Sequence, residues 1–333
     1  MSKKLIALAS IFMVIIVVAV GISKLGRNEV VKEKEENHKI VTSFYPMYIL
    51  AMNLTKDVKG VTVVNLTENQ TGCLHDYQLT TQDMITLDSA DLLVMNGGGM
   101  ESFIENVVSS YPELTIVEAS KGINMLPSES EHDHDHENEE HDHDHENEEH
   151  DHEEHEEGHH HDHGEYNAHV WMNIENYLVQ IKNVYEALVE YDPENEAKYK
   201  ANYEEYTNRV TKLKEEYVET LTDIANREVV IFHDAFAYMA QELGLDVVST
   251  INLDGDSSLS AGEVSEIIDE VKHHKVKVLF TEEQYSDSIA KSVAKETEAK
   301  VYVIDSLVTG SRDYDSYLMG MRANLEVLKE ALY

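Results

Sequence analysis

The chain has few cysteines and few basic residues. The first shortage excludes an internal disulfide, and the second argues against nucleic-acid partners. It has a single cysteine, Cys73, among 333 residues, so no internal disulfide can form. Lysine and arginine together number 26 against 65 acidic residues, which gives a formal net charge of −39 at pH 7. An acidic surface of this size repels phosphate backbones. Nucleic acids are therefore not expected as partners.

The N-terminus has the layout of an export signal. Two lysines precede an uninterrupted apolar run, Leu5–Val20, and small residues follow it. The run is also close to the lower length limit of a membrane anchor, so residues 1–24 are predicted to be a signal peptide or an uncleaved anchor. No cysteine follows it, so a lipid anchor is not expected, and residues 25–37 are predicted to be a charged tether. An exported chain without a disulfide must rest on core packing, bound metal, or both.

One segment has an extreme composition. Glu129–Glu165 contains 13 histidines and 19 acidic residues in 37 positions, with no lysine or arginine, and repeats HDHDHENEE from His132 and from His141. It has almost nothing to bury, so a disordered loop is predicted over residues 128–165. Imidazole and carboxylate groups in such numbers suit labile binding of transition metals. The segment indicates that metal binding is part of the protein's function, but it does not distinguish an enzyme from a sensor, a store or a carrier.

The hydrophobic pattern predicts an α/β fold. Strands alternate with helices from Lys39 to Glu118 and again from Glu228 to Ala331. This alternation is typical of parallel sheets with helical crossover connections. We therefore predict two lobes, each with a parallel β-sheet flanked by helices.

A long helix is predicted between the two lobes. After an amphipathic helix over Glu175–Glu190, a second helix of about 30 residues runs from Pro193 towards Ala225, with tyrosines and aliphatic residues spaced by three and four. This stripe is interpreted as core rather than as a binding surface. The predicted domains are an N-terminal lobe that includes the His-rich loop, a rigid linking helix and a C-terminal lobe, over residues 38–190, 191–226 and 227–333.

Six histidines lie outside the His-rich segment, and three of them are candidate metal ligands. His75 lies in a loop after the second predicted strand, and His233 follows the strand Glu228–Phe232. Both lie at carboxyl ends of strands, where open α/β sheets bind ligands. His169 lies in the loop just beyond the His-rich segment. The remaining three belong to the tether or to a helix end, where solvated histidines are expected: His38, His273 and His274.

A carboxylate is a candidate fourth ligand. Asp305 directly follows the predicted strand Lys300–Ile304, again at a carboxyl end, although it is equally suited to cap the next turn. Glu282 and Glu283 follow another strand and compete with it. Glu282 is also suited to accept a hydrogen bond from an imidazole and so orient it.

Three motifs carry the candidate histidines: GCLHDY at Gly72–Tyr77, NAHVWMN at Asn167–Asn173 and FHDAFAY at Phe232–Tyr238. Together they resemble the zinc- and manganese-specific solute-binding proteins of ABC importers. The resemblance runs from Lys39 to Leu332 and includes the position of the His-rich segment, which lies where zinc members of that family carry theirs.

The resemblance implies two α/β lobes joined by one long helix, with the metal held in the cleft. Mapped onto this chain, the ligands would be His75 and His169 from the N-terminal lobe and His233 and Asp305 from the C-terminal lobe. Manganese members typically have a carboxylate at the third position, where this chain has His233. Three imidazoles and one carboxylate suit tetrahedral Zn²⁺ better than Mn²⁺.

The chain departs from the family pattern near the first histidine. Some zinc members have a glutamate directly before it, whereas this chain has Leu74, so an oxygen donor is missing there. Cys73 is an alternative thiolate ligand, although burial beside the site is the preferred interpretation.

The implied function is capture and delivery rather than catalysis. A monomeric receptor outside the cytoplasm would bind Zn²⁺ and pass it to an ABC transporter permease, with the His-rich loop as an auxiliary zinc trap. No enzymatic activity is expected, because four protein ligands leave no open position on the metal and no HExxH motif is present outside the His-rich segment. The alternatives are a Mn²⁺ receptor, a secreted zinc hydrolase that uses Glu282 or Glu283 as its base, and an extracellular metal store or adhesion protein.

Overall fold

Two parallel four-stranded sheets form the framework of the computed structural model, which describes residues 37–68, 74, 77–128, 166–252, 259–282 and 287–333. The predicted leader or anchor, the tether up to residue 36 and the His-rich segment Glu129–Glu165 lie outside the described residues. Within the described ranges, no helix has both the length and the apolar character needed to cross a bilayer.

The first sheet has the strand order β2-β1-β3-β4. Its strands are β1 (His38–Thr42), β2 (Val61–Asn65), β3 (Leu92–Met95) and β4 (Thr115–Glu118). The helices between them are α1 (Tyr45–Leu54), α2 (Thr81–Asp88) and α3 (Ser102–Val108). Helix α2 begins with a capping box, in which Thr80 and Asp83 satisfy each other's backbone N–H groups.

The second sheet repeats this topology with the order β6-β5-β7-β8. Its strands are β5 (Glu228–Ile231), β6 (Asp246–Thr250), β7 (Val278–Glu282) and β8 (Lys300–Ile304). Its helices are α6 (Ala237–Leu243), α7 (Ala261–His274), α8 (Ser288–Glu296) and α9 (Ser316–Leu332). Helix α7 also begins with a capping box, formed by Ser260 and Glu263.

Two helices connect the sheets, α4 (Ile174–Tyr191) and α5 (Glu196–Thr220). Helix α5 has 25 residues, fewer than predicted, because Pro193–Asn195 forms a 3-10 turn before it. At the other end the N–H groups of Ala225 and Asn226 donate to the Leu332 carbonyl at 2.9 and 3.0 Å. These donors pair with α9, so the helix does not continue.

The core is shared between the two sheets. One buried cluster contains Ile40 of β1 and Ile231 of β5, while the alternate residues Val41 and Val230 face separate outer clusters. The apolar stripe of α5 is buried in the shared cluster, which confirms its interpretation as core. Residues 38–333 form one compact unit. The predicted fold class is thus confirmed, and the finer domain limits stay predictions.

The strand order defines where a ligand is expected. In each sheet the chain pairs its first strand with the next strand on one side and then crosses to the other side, so the connections diverge between β1 and β3 and between β5 and β7. Ligands bind in the crevice at the carboxyl ends of such strand pairs.

Candidate metal centre

His169 lies at the edge of the first sheet. Its side chain is completely buried, and it directly precedes a 3-10 turn, Val170–Met172. The carbonyl of the preceding residue, Ala168, accepts a hydrogen bond of 2.9 Å from Asn96 Nδ2, and Asn96 directly follows β3. This bond fixes the His169 segment at the carboxyl end of β3.

Asn167 orients the imidazole of His169. Its Oδ1 accepts the His169 backbone N–H at 3.0 Å and lies 3.0 Å from Nδ1 of the same residue. Its Nδ2 donates to the carbonyl of Asp234 at 2.8 Å, so Oδ1 is the acceptor end of the amide. Nδ1 of a neutral His169 therefore carries the proton, and Nε2 has the lone pair that a metal ion needs.

His233 is oriented by a carboxylate. It follows β5 by two residues, its side chain is buried, and its Nδ1 lies 2.5 Å from Oε2 of Glu282, the last residue of β7. The two residues thus lie where the connections of the second sheet diverge. A carboxylate accepts the Nδ1 proton, which leaves Nε2 as the ligand nitrogen and raises its basicity. This is the orienting contact that the sequence suggested for Glu282.

The two imidazoles come from different sheets and lie edge to face, with ring centroids 4.9 Å apart. The segments that carry them are joined by the bond from Asn167 to Asp234 and by Tyr238, whose hydroxyl donates to the Asn167 carbonyl at 2.7 Å. Burial raises the pKa of Tyr238, so its hydroxyl keeps the proton for this bond.

Asp234 lies close to both histidines, although no sequence pattern predicted it as a ligand. Its Oδ1 lies 3.4 Å from His169 Nδ1 and 3.6 Å from His233 Nε2. Within the described part of the chain, one ligand atom from each of these three residues lies within 4.8 Å of the others. Two donors of a tetrahedral zinc site, each at about 2.0–2.2 Å, are separated by roughly 3.4 Å. The spacing of the Asp234 oxygen from His233 Nε2 is close to that value.

The remaining predicted ligands have other positions. His75, Cys73 and Glu283 lie outside the described residues. Asp305 directly follows β8 and is not in the group formed by His169, His233 and Asp234. Its Oδ1 accepts the Leu307 N–H at 2.8 Å, which is the turn-capping role considered from the sequence. In the second sheet β7 lies between β5 and β8, so Asp305 at the end of β8 lies beside the described cluster rather than within it.

The described cluster is suited to a divalent transition metal. Two preset imidazole nitrogens and a carboxylate oxygen are borderline and hard donors, a set that zinc and its neighbours in the first row accept. The donors come from segments beside the two parallel sheets.

Comparisons with known proteins identify the family. The family described as "Zinc-uptake complex component A periplasmic" (ZnuA) matches residues 40–331, and the chain belongs to it. The resemblance stated from the three histidine motifs is thereby confirmed.

The relatives carry different metals in their names. The high-affinity zinc uptake system protein ZnuA of Bacillus subtilis is 31% identical over 306 residues, which cover 90% of this chain and 89% of that protein. The iron-binding protein YfeA of Yersinia pestis is 28% identical, over 81% of this chain and 78% of its own length. A manganese-bound mutant of a periplasmic metal-binding protein from Candidatus Liberibacter asiaticus has a TM-score of 0.71 at 26% identity, over 89% of this chain and all of that one. A metal is named for all three, while its identity differs.

Proposed function

We propose that this protein is an extracytoplasmic receptor that captures Zn²⁺ between its two lobes and delivers it to the permease of an ABC importer. The observation that carries the proposal is the pairing of His169 and His233. They come from different sheets, both are buried, and each has its Nδ1 held by an acceptor, so both present Nε2 as a ligand. Imidazoles oriented in this way are typical of protein zinc sites.

The full ligand set that we propose is His75, His169, His233 and Asp305. Three imidazoles and one carboxylate complete a tetrahedral zinc site with no open position. The name of the B. subtilis relative supports zinc as the cargo. Asp234 is an additional oxygen donor beside this set.

The proximity of Asp234 favours a second candidate, a Mn²⁺ receptor. Manganese prefers more oxygen donors than zinc, and Asp234 together with Asp305 would supply two carboxylates. A manganese-bound structure is among the similar proteins. Against this, position 233 is an imidazole, so zinc remains our first choice.

A hydrolase is a poor match to the same residues. It would need a general base near a metal-bound water. Glu282, one of the two bases considered, is 2% exposed and uses one oxygen for His233 and the other for the Ser306 hydroxyl. A carboxylate engaged on both oxygens is suited to holding an imidazole rather than to proton transfer.

The His-rich segment is proposed as an auxiliary trap. Pro127 and Tyr166, which flank it, form an antiparallel bridge, and Tyr166 lies three residues before His169. The residues that flank the segment are therefore paired with each other close in sequence to His169. Ions bound weakly along it would be held at a raised local concentration near the cleft.

Deleting Glu129–Glu165 separates a receptor from a store. The shortened protein should retain one tight zinc site per chain in competition titrations, because the cleft ligands remain. In this background His169→Ala should weaken zinc binding by about 100-fold or more, since it removes a preset ligand. His273→Ala, at the exposed end of α7, is the matched control and should change nothing. Loss of tight binding on deletion alone would instead identify a store.

A further inference from the structure

Ser306 touches both halves of the candidate metal centre. It follows Asp305 in the turn after β8 and is completely buried. Its hydroxyl donates to Oε1 of Glu282, while Oε2 of the same carboxylate holds Nδ1 of His233. The serine therefore fixes the carboxylate that orients an imidazole.

The backbone of Ser306 faces the other lobe. Its carbonyl accepts the indole N–H of Trp171 at 2.8 Å, and the Trp171 ring lies 5.3 Å from the ring of His169. Trp171 is completely buried, and its own carbonyl accepts the hydroxyl of Tyr317 at 2.9 Å. One residue thus contacts the neighbours of both histidines.

The turn that carries Ser306 is held from both sides. Leu307 has a φ of +61°, a left-handed conformation that a bulky residue adopts only when its surroundings impose it. Its N–H is bonded to Asp305 Oδ1, and its side chain packs so closely on α9 that a Cβ at Gly320 would overlap it. The orientation of Ser306 is therefore set by packing rather than by the turn alone.

We infer that Ser306 is a positioning residue of the metal centre, which acts on His233 through Glu282. Its backbone carbonyl also connects it to Trp171, the neighbour of His169. The inference rests on the proposed function. Without the hydroxyl, Glu282 Oε1 loses its donor in a buried environment, and the carboxylate is less firmly held. Groups that hydrogen-bond directly to a metal-ligating histidine, as Glu282 does, change metal affinity by about 10- to 100-fold when they are removed. Ser306 is one hydrogen bond further from the metal, so its effect should be smaller.

A double-mutant cycle tests the inference in the full chain, with zinc affinity measured by competition against a tight chelator that removes weakly held ions. Glu282→Gln should weaken zinc binding by about 10- to 100-fold, and Ser306→Ala by about 3- to 10-fold. The double variant should be no weaker than Glu282→Gln alone, because Ser306 acts through Glu282. Additive losses would overturn the inference, as would an unchanged affinity in Ser306→Ala.

Tyr199→Phe is the matched control. Tyr199 of α5 is equally buried, and its hydroxyl donates the same kind of bond to another buried carboxylate, Asp192, in the connection between α4 and α5. It should lower the stability to unfolding without changing zinc affinity, and an equal loss of affinity would reduce Ser306 to a structural role. His169→Ala in the same series tests the proposed function separately. If that variant keeps full affinity, the proposed site is wrong, whereas its loss beside an unchanged Ser306→Ala rejects this inference alone.

Discussion

Asp234 and Asp305 are the two carboxylates considered as metal ligands, and their surroundings differ. The Asp234 oxygen lies between the imidazoles of His169 and His233, at 3.4 and 3.6 Å from a nitrogen of each. Asp305 is engaged by its own turn, through the N–H of Leu307. Zinc needs four donors, whereas manganese accepts more oxygen ligands. The two residues are therefore expected to differ in their effect on metal selectivity.

We expect Asp305→Asn to weaken the binding of both metals by about 10-fold or more, because it removes a proposed ligand. Asp234→Asn should weaken Mn²⁺ binding more than Zn²⁺ binding, because only manganese needs the additional oxygen. Parallel titrations of both variants with the two metals provide the measurement. If zinc binding is lost in Asp234→Asn and kept in Asp305→Asn, then Asp234 is the carboxylate ligand of zinc.

The sequence predicts the positions of His233 and Glu282 because both follow or end strands of one sheet. The carboxyl ends of neighbouring parallel strands meet at one edge of a sheet. Asp234 escapes such prediction because an acidic residue at the start of a helical turn is ordinarily interpreted as a partner of backbone N–H groups. Its position next to His233 in the sequence is the signal that would have found it. The contact of Ser306 with Glu282 depends on packing, which no local pattern encodes.

At the scale of elements, the strand Lys300–Ile304 has the predicted limits, and the strand predicted over Glu228–Phe232 ends one residue earlier, at Ile231. Their β-branched residues and flanking turn residues suffice to define them. The 3-10 turn Val170–Met172 was not predicted, since its conformation depends on bonds from distant residues. The same holds for the end of α5, where N–H groups pair with the C-terminal helix.

The connection from β3 to α3 has an unusual environment for an acid. Gly97, Gly98 and Gly99 all have positive φ, which glycine adopts without strain. The buried Glu101 carboxylate accepts the N–H groups of Asn96 at 2.6 Å and Gly97 at 2.9 Å. Burial nevertheless raises the pKa of Glu101 from 4.5 to about 7, because desolvation outweighs these hydrogen bonds.

This pKa predicts a pH dependence of stability. The folded chain holds the Glu101 proton more tightly than the unfolded chain, so stability from this group is present below pH 4.5 and is lost as the pH rises through about 7. Between pH 5 and 8 the metal-free protein should lose about 2–3 kcal/mol more unfolding free energy than Glu101→Gln. Denaturant unfolding at both pH values measures the difference. Parallel pH curves for the two proteins would contradict the assignment.

At the scale of the whole molecule, the lobes are joined by direct contacts as well as by α5. Segment 308–312 of the second lobe lies against α1 of the first, beside a cavity of about 310 Å³. The Tyr45 hydroxyl donates to the Ser311 carbonyl at 2.7 Å, and Arg312 pairs with Glu68. A Cβ at Gly310 would overlap the Tyr45 hydroxyl. This glycine therefore permits a close approach between the lobes.

Gly310→Ala should lower the unfolding free energy by about 1–3 kcal/mol, since it forces the tyrosine from its partner. Thermal or denaturant unfolding of the metal-free protein measures this cost. Gly262→Ala is a suitable control, because a Cβ in this first turn of α7 has 3.7 Å of clearance from its nearest neighbour. It should raise stability by about 0.4–1 kcal/mol. Equal effects of the two changes would mean that the contact between the lobes is not tight.

The last helix has a consequence for how the chain acquires its structure. Helix α9 contacts α1 and α5, Tyr317 stacks on Tyr177 of α4 at 3.7 Å, and Tyr217 of α5 donates to the Met321 carbonyl. The core around α1 is thus completed by residues that are synthesised more than 260 positions later. An example is the hydrogen bond from Asn53 to the Tyr314 carbonyl. A growing polypeptide cannot complete this core before α9 has been synthesised. Its apolar surfaces remain exposed until synthesis has passed α9, and folding is then slowed by the many contacts between distant residues.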